Sequence, residues 1–234
     1  MTVGRGQGHR TESDWTVTDA AEIFAIATAN RLLAADMFAG LTQEQWATPS
    51  LCAGWTVREI AAHLVPPPNG LSFWSLAGQV LRYRGDLDRM VDDTTRRAAQ
   101  RPTEDIVREL RERAGVRLKP PATGAAGPMA DTAIHLRDAA RPLGLNVNPE
   151  PVSWVPVLEF LVSKPASRGF MPRGRLTGLR LAPTDAAWSW GTGAEVRGPC
   201  EAVAMAVAGR TSALSELSGA GTTLLARRLP SPSA

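Results

Sequence analysis

Histidine is scarce in this chain. Three occur in 234 residues: His9, His63 and His135. His9 lies in a polar, glycine-rich stretch, so imidazole chemistry falls to His63, His135 or both. Cysteine is scarcer still. Cys52 and Cys200 stand far apart, which excludes a disulfide framework and any CxxC redox or metal motif. Lysine is nearly absent, with Lys119 and Lys164 alone among 26 basic residues and arginine supplying the rest. No apolar run approaches the roughly 20 residues that span a bilayer. The first 18 residues are polar and lack the apolar stretch of a signal peptide. The expectation is a cytoplasmic protein with no membrane partner.

What is present fits a folded protein. Hydrophobic residues at 44% and charged residues at 21% argue against wholesale disorder, and the length is enough to bury a core. The net charge of +3 comes from dispersed arginines, many set near carboxylates. Asp105, Arg108, Glu109, Glu112 and Arg113 recur at i,i+3 and i,i+4, as on an ion-paired helix face. With no RNP-type or zinc-finger pattern, no nucleic-acid partner is expected.

Periodicity and punctuation divide the chain. Residues 1–17 read as a loose tail. A helix starts near Thr18, which can cap it, and stops at Gly40. Thr42 can cap a short turn carrying Trp46. Thr56 and Glu59 form the capping-box spacing for a second helix with apolar Val57, Ile60, Ala61 and Leu64. Pro66-Pro67-Pro68 ends that helix. A third helical stretch covers 71–99 with a break near Gly85, and a charged helix covers 102–113, with Pro102 in its first turn. After a Pro/Gly/Ala loop, a helix runs from Pro128 or Met129 to Leu143. Beyond Asn148-Pro149 come an apolar helix over 155–164, strand-like alternation at 176–181 and 187–190, and turns at Gly191, Gly193 and Gly198. Pro199 opens a last helix that ends at Gly209-Arg210, and residues 230–234 form a proline-rich tail. The fold class is α+β: an N-terminal helical bundle over 18–150, then a small α+β unit over 151–229.

One constellation has the residue types for metal chemistry. Asp131 and His135, four apart, share one face of a predicted helix, one turn from each other. His63 lies on the second helix. If the two helices face each other, the three make a two-histidine, one-carboxylate set with an open coordination position. The spacing alone leaves other readings open: a surface ion pair for Asp131 and His135, and a hydrogen-bonded core histidine for His63. Asp138 could hold the free imidazole nitrogen of His135, or pair with Arg137 or Arg141. Cys52 leaves a catalytic thiol and a packed thiol both open. Cys200, behind Pro199 at a helix start, has a position that can lower a thiol pKa, but with no histidine near it in sequence it reads as incidental.

The stretch from Trp46 to Leu64, WATPSLCAGWTVREIAAHL, resembles the N-terminal signature of the mycothiol-dependent maleylpyruvate isomerase family. The stretch from Ala130 to Gly144, ADTAIHLRDAARPLG, resembles its second signature. That family belongs to the DinB-like metal-binding bundles, so the resemblance implies a DinB-like four-helix bundle over 18–150. The region after 150 is similar in outline to a small sterol-carrier-like α+β domain that many members append. By resemblance the metal ligands are His63, Asp131 and His135, and Arg210 in the Gly-Arg turn is the candidate catalytic arginine. Its other reading is capping of the preceding helix. The isomerase that names the family carries glutamate where this chain has Asp131, and Pro66-Pro67-Pro68 is unusual beside the histidine.

The resemblance implies a divalent metal cofactor, zinc (Zn) first with nickel (Ni) or iron (Fe) as alternatives. It also implies mycothiol, the low-molecular-weight thiol of actinobacteria, as cosubstrate. The expected enzyme is a mycothiol S-transferase or a maleylpyruvate isomerase-like isomerase whose partners are that thiol and a small-molecule electrophile. A thiol-independent metal hydrolase, lyase or cyclase is the alternative, as is a non-catalytic metal-binding module closed by a fourth ligand such as Glu59. The oligomeric state stays open between monomer and homodimer.

Overall fold

The computed structural model describes residues 19–68, 78, 82–168 and 170–230. The expected tail over 1–17, His9, all but Pro230 of the tail expected over 230–234, and most of the first part (71–81) of the helical stretch expected over 71–99 lie outside the described residues. Among the described residues, six helices build the N-terminal region. Helix α1 (Ala20–Ala39) is capped by Asp19, whose carboxylate accepts from the Ala21 amide, so the cap sits one residue after Thr18. Helix α2 (Gln43–Trp46) and helix α3 (Val57–Leu64) both carry complete capping boxes, Thr42 with Gln45 and Thr56 with Glu59. Helix α4 (Leu87–Ala98) follows the break at Gly85, whose φ is 81°. Helix α5 (Thr103–Glu112) has Pro102 at its N-cap rather than inside its first turn. Its exposed face carries the expected pair of Arg108 with Asp105, and the part-buried Glu109 pairs as expected with Arg113 at the C-cap.

Helix α6 (Ala126–Ala140) is the hub, because it is buried on nearly every side. Met129, Ala130, Ala133 and Ile134 enter one apolar cluster with helix α7 (Trp154–Leu161) and the elements after it. Leu136, Ala139 and Ala140 enter a second cluster with α1, α3 and α5. Small residues on facing helices, such as Ala34 and Ala35 of α1, let backbones approach closely. Within this interface Asn30 donates to Thr132.

After α7 come two parallel strands, β1 (Leu179–Pro183) and β2 (Ala194–Gly198), with Leu179 opposite Ala194. The pattern expected a strand at 187–190 and only turns at Gly191 and Gly193. Instead, Trp190 makes a single antiparallel bridge to Leu181, and the second strand lies beyond it. The glycines are the physical reason. Gly191 and Gly193 have φ of 78° and 134°, and a β-carbon on either would strike a carbonyl oxygen of Leu179 or Gly178. They let the chain cross tightly over β1 and re-enter the sheet on its other side. Gly193→Ala should therefore cost at least about 1–3 kcal/mol in backbone strain, seen as a lower urea midpoint at unchanged m-value.

Helix α8 (Cys200–Val207) follows Pro199, and helix α9 (Gly221–Ala226) packs behind the sheet. One buried network ties α8 to α6. Glu201 accepts from Arg137 Nε and Arg141 Nε, each at 2.7 Å, and from Asn148 at 3.3 Å. Arg137 and Arg141 are thus engaged by Glu201 and not by Asp138. Burial would raise the Glu201 pKa, but Arg141 and Arg137 hold it below the usual carboxylate range. Its folded pKa lies below the unfolded one, so its stabilisation is present above the unfolded pKa and is lost as the pH falls. Denaturation midpoints measured from pH 7 to pH 3 should fall more steeply for wild type than for Glu201→Gln.

Candidate metal centre

The site sits where α3, α4 and α6 meet the turn after α8. The capping box starts α3 at a fixed residue and so sets the phase at which His63 leaves the helix. Asp131 and His135, one turn apart on α6, face His63. The ligand-type atoms of His63, Asp131 and His135 all lie within 4.8 Å of one another. His63 Nε2 is 3.1 Å from Asp131 Oδ2, and His135 Nε2 is 3.4 Å from Asp131 Oδ1. Each imidazole is also held from its far nitrogen. His135 Nδ1 donates to Asp138 at 3.0 Å, and His63 Nδ1 meets the Thr95 hydroxyl at 3.4 Å. Trp55 lies against both rings, with centroids 5.0 Å from His63 and 5.8 Å from His135.

The charges follow from this packing. Burial works against the Asp131 carboxylate, but His63 and His135 outweigh it and hold its pKa far below the usual range. Burial likewise works against charge on His135, but Asp131 and then Asp138 push its pKa up to about 9. Two imidazoles and one carboxylate, with remote nitrogens already held, form a donor set that suits a divalent transition metal. A cation entering between them would take the place of a proton.

Arg210 reaches the same place from the other side of the chain. The Glu201 network fixes α8, which ends in a glycine cap: Gly209 N donates to Ala206 O and Arg210 N to Met205 O. Gly209 has a φ of 104°. The turn sends the guanidinium onto Asp138, with Nε on Oδ1 at 2.9 Å and Nη2 on Oδ2 at 2.5 Å. Nη1 donates to Ala208 O, so Arg210 also performs the capping that its sequence position allows. Asp138 is fully buried. Burial would raise its pKa, but Arg210 and His135 hold it down. One carboxylate therefore orients both His135 and Arg210.

His63, Asp131, His135 and Arg210 line a cleft of about 480 Å³ together with Cys52, Trp55 and Phe170. Cys52 is half-buried, and burial followed by the Asp138 charge pushes its thiol up to about 11. Cys200 behaves opposite to its helix-start position. Burial and then Asp185 push it up to about 12, so it is a packed thiol. Glu59 does not approach the cluster, because its carboxylate accepts from the Thr56 amide and hydroxyl. Trp46 is buried against Phe38, away from the cleft, and Trp74 lies outside the described residues.

Sequence reading missed the α4 wall, made of Leu87, Asp88, Val91 and Asp92, with Thr95 one turn on. The signal was there: these residues recur at i, i+3 and i+4. A single helix face does not say which cleft it borders.

The fold and site define a helical bundle with a candidate metal centre, joined to a small α+β unit. Residues 29–143 match the family model of the mycothiol maleylpyruvate isomerase N-terminal domain, and this part of the chain belongs to that family. No curated protein and no solved structure matches the chain. Among the described residues, no helix is long and apolar enough to cross a membrane.

Proposed function

We propose that the protein is a metal-dependent, mycothiol-using transferase or isomerase acting on a small electrophile. The convergence of His63, Asp131 and His135 inside the family-matched segment carries this reading. His63 and His135 would ligate through Nε2 and Asp131 through a carboxylate oxygen, with zinc the preferred ion and nickel or iron the alternatives. A divalent metal held there stabilises a thiolate at neutral pH and so presents a nucleophile.

The chain's own residues supply orientation and exclusion of water. Asp138 and Thr95 fix the two rings, and Trp55, Ile134 and Phe170 make the cleft wall apolar. Arg210 has N–H groups left on Nη1 and Nη2 after its three bonds to Asp138 and Ala208, and these orient a carbonyl of the thiol or the electrophile. With both histidines engaged, the cleft offers no imidazole base among the described residues. Proton transfer falls to the thiol or to a carboxylate. Retention of the thiol adduct makes the reaction a transfer, whereas bond rotation followed by thiolate loss makes it an isomerisation.

Turnover of the zinc-loaded protein should require mycothiol and should be lost in His63→Ala. Equal turnover in thiol-free buffer would assign the site to hydrolase, lyase or cyclase chemistry instead. Glu59, the residue expected to close a purely structural site, stays in its capping box, and this favours the catalytic reading.

A further inference from the structure

We infer that the cleft selects an uncharged electrophile with an apolar body and rejects a dicarboxylate. This deepens the thiol-transfer reading and rests on it. The family name points to maleylpyruvate, a substrate with two carboxylates. The walls of this cleft are built for something else.

Helix α4 faces the cleft with two acids, Asp88 and Asp92, set among Leu87 and Val91. Asp92 is held in place. It accepts from Trp55 Nε1 at 2.8 Å and from Arg96 Nε, and Arg96 also bonds Gly54 O. Arg96 does not line the cleft. Asp88 makes no ion pair among the described residues. Ile134, Phe170 and Ala208 add apolar surface.

Among the described lining residues Arg210 is matched by the buried carboxylate of Asp138, and the charge that a metal would bring between His63 and His135 is matched by Asp131 and by the bound thiolate. A dianion entering here would meet Asp88 and the Asp92–Arg96 pair, with no unmatched cation among the described lining residues. An uncharged electrophile would meet only apolar contacts and the remaining N–H groups of Arg210. Like charges facing each other are a strong means of rejecting a ligand.

The test compares dimethyl maleate with maleate as acceptors for mycothiol, using the zinc-loaded full chain. In both reactions the thiolate sulfur bonds one alkene carbon and its neighbour takes the thiol proton. Rate enhancement over the uncatalysed reaction should be at least about tenfold larger for the diester. Asp88→Lys should lower that diester-to-diacid ratio by about tenfold. Equal enhancement of the two acceptors, or an unchanged ratio in Asp88→Lys, overturns the inference.

Unreactive analogues separate it from the thiol-transfer reading. In excess mycothiol, which takes the open metal position, dimethyl succinate should bind the zinc-loaded protein at least about tenfold more tightly than succinate in calorimetry. If neither maleate compound is accelerated but this preference holds, the transfer reading falls and the selectivity stands. If succinate binds as well or better, or if the diester does not bind, the selectivity falls.

Discussion

Replacing His135 with alanine should remove stoichiometric divalent metal from the purified protein and weaken zinc affinity by more than about 100-fold in a chromophoric chelator competition. The expectation comes from the double anchoring of this ring. Nε2 faces Asp131 while Nδ1 is held by Asp138, so the ring presents a fixed lone pair with no rotamer search. His63→Ala should behave alike, because its ring faces the same carboxylate from α3. Asp131→Asn keeps the shape but removes the charge both rings face, and it should also bind metal weakly. If all three variants retain metal as wild type does, the cluster is a hydrogen-bonded triad and the ion lies elsewhere.

Substituting Asp138 with alanine should be the most damaging single change to stability near the site, costing about 3–5 kcal/mol in urea unfolding. Asp138 is fully buried and pairs with a guanidinium that is itself only 17% exposed. Its removal would leave Arg210 as a buried charge with one carbonyl partner, Ala208 O. The same substitution would also free the far nitrogen of His135, so zinc affinity should fall by about 10–100-fold. Because destabilisation and loss of metal could share a cause, Arg210→Met is the useful comparison. It leaves His135 Nδ1 on Asp138 and should disturb metal affinity far less. A cost below about 1 kcal/mol for Asp138→Ala would mean that water replaces the carboxylate and the pair is not truly buried.

Much of the N-terminal region could be read along the chain, because its signals are local. Thr42, Thr56 and Glu59 act within one helical turn, so the Thr42 cap and the Thr56–Glu59 capping box appear in the structure as spaced, and Gln45 completes a second box at Thr42. Asp131 and His135 are likewise one turn apart, and any helix there puts them on one face. The α+β region was harder. Strand β2 carries Glu195 and Arg197 between glycines, and its partner strand is reached only by the crossing at Gly191 and Gly193. A pattern of alternating residues cannot show such a crossing, because the glycines that permit it look the same as glycines in an ordinary turn.

Asp138 shows the same divide at the site. Its neighbours in sequence offered Arg137 and Arg141 as partners, yet both turn to Glu201 of α8. The arginine that Asp138 does hold comes from residue 210, on a different element.

The sequence by itself determined the helix phases, the scarcity of imidazole and the one-turn spacing of Asp131 and His135. These depend on backbone geometry over a few residues. Only the tertiary structure decided that α3 presents His63 to that pair, that Arg210 closes on Asp138, and that two acids of α4 wall the cleft. Those outcomes depend on how the faces of α6 are shared between two apolar clusters and on a buried Glu201 network that fixes α8. Packing over long sequence separations sets them, and no local pattern encodes it.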